Sequence, residues 1–342
     1  MAVTIKDVAK IAKVNPSTVS RVIADSPRIS EKTKKVVREA MDQLGYHPNL
    51  IARSLVNKST KAIGIIMPSS PEKAFQNPFF AEVLGGISSL AHQQQYSLYM
   101  STGETKEEIY SAVVSMVQGR RVDGIILLYS RTNDQIVAYL SELKFPFVIV
   151  GKPCEEHGEV AHVDNDNFSA AKEITTYFIN GGHSRIGFIG GTLDLVVTVD
   201  RLNGYKRALE KVNIDINRDY IVHKEFHKEG GKEAIVELMS LAEPPTALVV
   251  TDDLIGFGVL SNLREMGIRV PEDISIISFN NTMLAEYTNP PLSSVDINIY
   301  QLGQHAAKLL IDLIHKTKDL SKKIIVPHKL ILRESCNSRG KK

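Results

Sequence analysis

The residues Pro16, Ser17, Thr18, Ser20 and Arg21 carry groups suited to reading a polyanion. Serine and threonine hydroxyls reach phosphate oxygens or base edges, and the Arg21 guanidinium can grip guanine O6 and N7 in a two-pronged fork. Asn15 is a favoured helix cap, and Pro16 suits the first helical position, where its missing N–H costs nothing. A helix starting there aims its first amides at phosphate. The same residue types also suit the solvated basic face of a small three-helix module that binds protein, and caps and apolar stripes alone favour neither.

A second set of chemical groups follows short apolar runs further along: Pro68-Ser69-Ser70, Tyr129-Ser130, Gly151-Lys152, Asp164-Asn165, Thr251-Asp252-Asp253 and Asn280-Asn281. Side chains that donate and accept in pairs, beside aromatic rings for stacking, are what a sugar with many hydroxyls and an apolar ring face requires. Phe79 and Phe80, in Asn77-Pro78-Phe79-Phe80, can supply the rings or equally belong to the core at a helix start. Lys152 follows the run FVIVG and stands either at a cleft, its ammonium turned to hydroxyl oxygens, or on the surface.

The elements that must position these groups differ between the two ends of the chain. Thr4-Ile5-Lys6-Asp7 has the form of a capping box and predicts a helix over 5–13, with Ile5, Val8, Ala9 and Ala12 on its inner face. The second helix turns Val19, Val22 and Ile23 inward, and a third runs from the cap Ser30, through Val36, Val37, Ala40, Met41 and Leu44, to a left-handed stop at Gly45. Three short helices with a tight turn between the first two make a helix-turn-helix head whose second helix enters the major groove. The run NLIARSLV at 49–56 is compatible with a helix but too short to be stable alone in water, so it packs on something or folds on binding.

From Ala62 the pattern changes to AIGIIM, YSLYM, GIILLY, FVIVG, RIGFIG, ALVVT and ISIISF, alternating with amphipathic segments. Such runs predict strands buried on both faces of parallel sheets, with crossover helices between them and a ligand site beyond the carboxyl ends of the strands. The expected fold is α/β: a three-helix head and hinge helix, then a two-lobed, doubly wound, parallel-sheet sensor. The expected divisions are a head over 1–47, a hinge helix over 48–58, one sensor subdomain from 61–161 and 292–324, and another from 162–291 and 325–337.

Composition supports this division. The 342 residues are 43% hydrophobic and 23% charged, an ordinary balance with room for two or three domains. The net charge is only +2, but residues 1–60 hold eleven Lys and Arg against five acids, a head of +6 on a body of −4. The opening MAVTIKDVAK has no apolar run behind it, so no signal peptide is expected, and no stretch approaches the roughly 18 apolar residues of a membrane span. Cys154 and Cys336 match neither a paired disulfide framework nor a CxxC motif, which suits a reducing cytoplasm.

Enzyme readings find little support. GxSxG, HExxH and GxxxxGK[ST] are absent, and Gly187-Phe188-Ile189-Gly190-Gly191 lacks the spacing of a dinucleotide fingerprint, so no cofactor is expected. His223 and His227 are four apart, but Tyr220-Ile221-Val222 beside them suggests strand, so they read as surface residues and no metal is expected. A solute-binding protein of the same two-lobed design would need export and lacks a DNA-binding head.

Longer motifs resemble the LacI/GalR family of bacterial repressors. The segments T-I-K-D-V-A-x-x-A-x-V from Thr4, S-T-V-S-R-V from Ser17, S-x-K-T-K-K-x-V from Ser30 and L-G-Y-H-P-N-x-x-A-R-S-L from Leu44 are similar to that family's head and hinge. R-V-D-G-I-I from Arg121, G-H-x-R-I-G-F-I-G-G from Gly182, D-R-x-x-G-Y from Asp200, P-T-A-L-V-V-T-D-D from Pro245 and V-P-E-D-I-S-I-I-S-F-N-N from Val270 extend the likeness over essentially the whole chain.

The resemblance implies a cytoplasmic, sequence-specific repressor of transcription, a homodimer with no membrane contact that reads a pseudo-palindromic operator in double-stranded DNA and answers to a small-molecule sugar. Thr4 joins Pro16, Ser17, Thr18, Ser20 and Arg21 as a DNA contact. Asn49, Ala52 and Leu55 would line the minor groove, Leu55 as an apolar wedge at a pyrimidine–purine step or, alternatively, a core leucine of a linker helix. Ser69, Asp164, Arg201, Asp252 and Asn280 fall where relatives contact effector. Arg201 binds two hydroxyls or a carboxylate at once, or else is fixed in an ion pair with Asp200 or a neighbour. Many family members carry Asp where Asn280 stands, which makes a strongly cationic effector less favoured.

Pro16-Ser17, Met67-Pro68-Ser69-Ser70 and Val150-Gly151-Lys152-Pro153 are most similar to regulators of maltose operons in Gram-positive bacteria, pointing to maltose or a related glucoside. The alternative within the family is a global catabolite regulator with a seryl-phosphorylated carrier protein as corepressor, which needs cations for the phosphate. His47 stands where those regulators carry arginine, and the helix from about Tyr300 to Lys316 offers only Lys308 and Lys316. The run Lys329 to Lys342 holds no heptads, so a dimer rather than a tetramer is expected.

Overall fold

A computed structural model describes residues 3–46, 59–68, 70–154, 159–317 and 321–337, and the chain divides into two compact units, Met1–Thr60 and Lys61–Lys342. Among its described residues the N-terminal unit has three helices: α1 (Ile5–Ile11), α2 (Pro16–Ile23) and α3 (Glu31–Leu44). The Asp7 carboxylate accepts from the backbone and hydroxyl of Thr4 at 2.9 and 2.7 Å, tying down the start of α1. Ser30 Oγ accepts from Thr33 N at 3.3 Å, and Gly45 ends α3 at φ 59°, where a side chain would be strained. Val8, Val19 and Val37 have no exposed surface and join the three helices in one core. Burying each such valine contributes about 1.5–3 kcal/mol. The first helix is one turn-fragment shorter than the expected 5–13, because Lys13 takes a positive φ in the turn. The hinge expected at 48–58 lies outside the described residues.

The C-terminal unit is built on two sheets of six strands each. In the first, strand β1 (Ala62–Ile66) lies between β2 (Ser97–Ser101) and β3 (Gly124–Leu127), followed outward by β4 (Phe147–Val150), β5 (His162–Asp164) and β11 (Lys323–Ile325), all parallel. In the second, β6 (Ile186–Gly190) lies between β7 (Ile221–His223) and β8 (Ala247–Val250), followed by β9 (Ser275–Asn280), β10 (Ser293–Asp296) and an antiparallel edge strand β12 (Lys329–Ile331). Each expected apolar run forms a strand, but β2 differs in kind. As the end strand of its sheet it leaves Tyr99 and Met100 well exposed rather than buried on both faces.

The helices are α4 (Pro71–Gln76), α5 (Pro78–Gln93), α6 (Lys106–Gln118), α7 (Gln135–Glu142), α8 (Asn167–Asn180), α9 (Val196–Lys211), α10 (Lys228–Met239), α11 (Asp253–Glu265), α12 (Met283–Tyr287) and α13 (Ile299–Ile314). The last packs on α5 so closely that a Cβ at Gly86 or Gly303 would strike the facing backbone, which is why both positions are glycine.

Strand membership corrects the expected divisions at 161/162 and 291/292. Strand β5 belongs to the first sheet and β10 to the second, so each change of lobe comes one strand later. HVD and SSVD are short and half polar, so neither reads as a buried run, yet both pair fully. A chain that winds through one sheet leaves it from a strand end, where the crossovers begin.

Candidate functional site

Helix α2 presents two faces. Val19 and Val22 are buried, while Pro16, Ser17, Ser20 and Arg21 are exposed and Thr18 is half-buried. Pro16 occupies the first helical position after Asn15, as the sequence implies. Thr4 is exposed at the start of α1. Asp25 gathers Lys34 at 2.9 Å and Arg38 at 3.1 Å, and Glu31 adds a second acid to Lys34 at 2.9 Å. These cations brace the turn after α2 against α3. Arg21, by contrast, has no ion pair among the described residues, leaving its guanidinium for an external anion. Asn49, Ala52, Leu55 and His47 lie outside the described residues.

In the C-terminal unit the strand ends of both sheets face a cavity of about 1060 Å³. Its polar centre is Arg201, which α9 buries to 4% exposure. Arg201 Nε donates to Asn167 Oδ1 at 2.9 Å, Nη1 donates to the Thr251 carbonyl at 2.6 Å, and the guanidinium lies 4.0 Å over the Phe279 ring. Burial lowers its pKa to about 10, opposed by Asp252 and Asp164, so it remains a cation at neutral pH. It makes no pair with Asp200. Among the described residues Nη2 has no hydrogen-bond partner and is the arm available to a ligand.

Asp252 caps α11, its Oδ1 accepting from Leu254 N at 2.8 Å and Ile255 N at 3.3 Å. Its Oδ2 accepts from the amides of Asn77 at 3.0 Å and Asn280 at 2.8 Å. The amide at position 280 thus holds the Asp252 carboxylate one strand away. Burial pushes the Asp252 carboxyl up, and the Asn77 bond leads the contacts that oppose it. Asp164, 6% exposed, accepts from Asn167 Nδ2 at 3.0 Å. Burial, with Asp200 nearby, raises its pKa to about 7.

Phe79 and Phe80 both line the cavity, their rings edge to face at 5.3 Å. Phe80 is also part of the core. Lys152 is not on the cavity wall; its ammonium stands 3.8 Å from Asp200. Ser69 lies outside the described residues. His223 ends β7 and His227 caps α10 by accepting from Gly230 N at 2.8 Å, so they share no helix face, and the described residues hold no cluster of metal-ligating side chains.

Sequence reasoning passed over Asn77, Asn167, Arg131 and Asp194. Asn77 was legible as a cap before Pro78, which its side chain is, accepting from Phe79 N at 3.0 Å. Its second role, reaching the other lobe, has no sequence signal.

Residues 4–49 match the bacterial regulatory proteins of the lacI family, and residues 175–336 match the periplasmic binding protein-like domain. Over 97% of its length the chain is 41% identical to the HTH-type transcriptional regulator MalR of Streptococcus pneumoniae serotype 4, covering 99% of that protein. The chain belongs to the lacI family. Among solved structures, this lacI-family chain is 56% identical to a transcriptional regulator LacI from Bacillus cereus subsp. cytotoxis, with a TM-score of 0.79 over 81% of this chain and 98% of that one. It is 30% identical to a transcriptional regulator CelR in complex with cellobiose, with a TM-score of 0.77 over 97% of this chain and 99% of that one. As a lacI-family protein it is a DNA-binding regulator of transcription rather than an enzyme. No helix among the described residues is long and apolar enough to cross a membrane.

Proposed function

We propose that this chain is a homodimeric, cytoplasmic repressor that reads a pseudo-palindromic operator through Thr4, Pro16, Ser17, Thr18, Ser20, Arg21 and the 48–58 segment, and whose operator affinity is set by a sugar. Maltose or a related glucoside is the effector this reading names, in keeping with the MalR and cellobiose-bound CelR relatives. The observation that carries it is the cavity of about 1060 Å³, at the upper end of small-molecule sites and roomy for a disaccharide. Arg201 Nη2 and Asn280 Oδ1 offer a donor and an acceptor, Asp164 a second acceptor, and Phe79 and Phe80 an apolar wall. Ser69 belongs to the same proposed set, as does Asp252 through the amides it orients; Lys152 contributes through Asp200 at the rim.

Effector couples to operator when it binds one arrangement of the two lobes better than another and so shifts the population presented to DNA. Calorimetric titration with a panel of sugars, followed by gel-shift assays on a palindromic operator with and without the binder, tests both halves. Maltose and maltodextrins giving no heat removes the named effector. Absence of any salt-sensitive preference among palindromic duplexes removes the reading altogether.

A further inference from the structure

The two lobes of the cleft are joined by ion pairs of a single polarity. In each such pair among the described residues the cation is on the first lobe and the acid on the second: Lys106 with Asp194 at 3.1 Å, Arg131 with Asp194 at 3.7 Å, Lys152 with Asp200 at 3.8 Å and Lys73 with Glu225 at 2.6 Å. Lys73, Lys106 and Arg131 line the cavity itself. They are the groups an anionic ligand would seek, and each already faces a carboxylate.

Asp194 is the hub of this arrangement. Backbone bonds from Thr132 N to the Asp194 carbonyl at 2.9 Å and from Val196 N to the Ser130 carbonyl at 3.1 Å tie its segment to the first lobe as a short antiparallel bridge. Its carboxylate therefore stays beside both cations. Although partial burial pushes the carboxyl up, bonds from the Thr192 hydroxyl and Lys106, with the Arg131 charge, hold it below the usual carboxylate range. Arg201 is faced by Asp252 and Asp164, and Lys228 lies 5.1 Å over the Phe257 ring.

We propose that Asp194 makes this cleft selective for uncharged sugars over their phosphate esters, by holding Lys106 and Arg131 in pairs that a phosphate would otherwise recruit. This rests on the sugar reading above and deepens it. An entering phosphate meets the carboxylates of Asp252 and Asp194 and finds Lys106 and Arg131 already paired, whereas a hydroxyl is indifferent to the net sign and needs only donors and acceptors. The exposed Lys73–Glu225 and half-exposed Lys152–Asp200 pairs add little energy individually but neutralise the rest of the rim.

The test is calorimetric titration of the full chain with maltose and with maltose 6′-phosphate, comparing wild type with Asp194→Asn. The amide keeps the side-chain shape and both backbone bonds while releasing the two cations. Wild type is expected to bind maltose at least about tenfold more tightly than the ester, and Asp194→Asn to close that gap by about tenfold, the worth of one charge-assisted hydrogen bond. Adding Lys106→Gln to Asp194→Asn is expected to restore part of the discrimination. A purely structural role would lower both affinities together and leave the ratio alone. If Asp194→Asn does not fold, Glu225→Gln, which releases Lys73, reads the same ratio. A wild-type ratio near one, or a ratio unmoved in the folded variant, overturns the proposal alone; heat from neither ligand overturns the sugar reading and this proposal with it.

Discussion

Asn77, between two first-lobe helices, donates its side-chain amide across the cleft to Asp252, the cap of a second-lobe helix, at 3.0 Å. The same carboxylate oxygen takes Asn280 Nδ2 at 2.8 Å, so one acid ties together both lobes and two strand ends. A ligand entering here either completes this group or displaces an amide from it.

Asp252→Ala removes a helix cap, worth about 1 kcal/mol, and leaves two buried amides without their acceptor, at about 1–3 kcal/mol in all. The urea midpoint of the C-terminal unit is expected to fall accordingly and effector affinity to fall with it. A variant as stable as wild type in urea melts would show that Asp252 carries no such load.

Arg201→Ala is expected to weaken effector binding by about 10- to 100-fold, the worth of a charge-assisted bond in a closed site. Operator binding without effector should change far less, because the guanidinium is not part of the head. Titration calorimetry gives the first quantity and gel shift the second; equal losses in both would mean general unfolding instead.

Arg21→Ala is expected to cost about 1–3 kcal/mol at the operator and to relax the preference at one base pair of each half-site. Loss spread uniformly over all sequences, with a shallower salt slope, would make Arg21 a phosphate contact. Effector affinity serves as the control.

Asp164 holds its proton to about pH 7 in the folded chain, against an ordinary value of 3.8 when unfolded. Between those values the folded state binds more protons, so this group's contribution to stability falls as pH rises from about 4 to 7 and is flat above. Asp253, raised to about 6 by burial, acts in the same direction. Asp164→Asn is therefore expected to gain on wild type steadily over that window, by about 2–4 °C in melting temperature for each kcal/mol. Parallel pH profiles for the two proteins would exclude the effect.

Local signals carried much of the architecture. Capping by Thr4 and Asp7, Pro16 at a first helical turn, Ser30 and Gly45 at the ends of α3, and the long apolar strands each depend on neighbours a few residues away, and all could be read directly. The crossover strands could not. HVD and SSVD are strands because the sheets recruit them, and their own residues do not announce it. Lys152 illustrates the same gap at the site. The sequence placed it after a strand, but only the fold could place Asp200 beside it.

By itself the sequence determined a basic helix-turn-helix head, a doubly wound two-lobed body and the acids, amides and arginine that gather at the strand ends, because caps, periodicity and charge are properties of short stretches. Only the tertiary structure decided which of those groups meet. Asn77 reaches Asp252 from 175 residues away, and Asp194 reaches Lys106 and Arg131 across the cleft. Such pairings depend on how two sheets close on each other, and no local pattern in the chain encodes that distance.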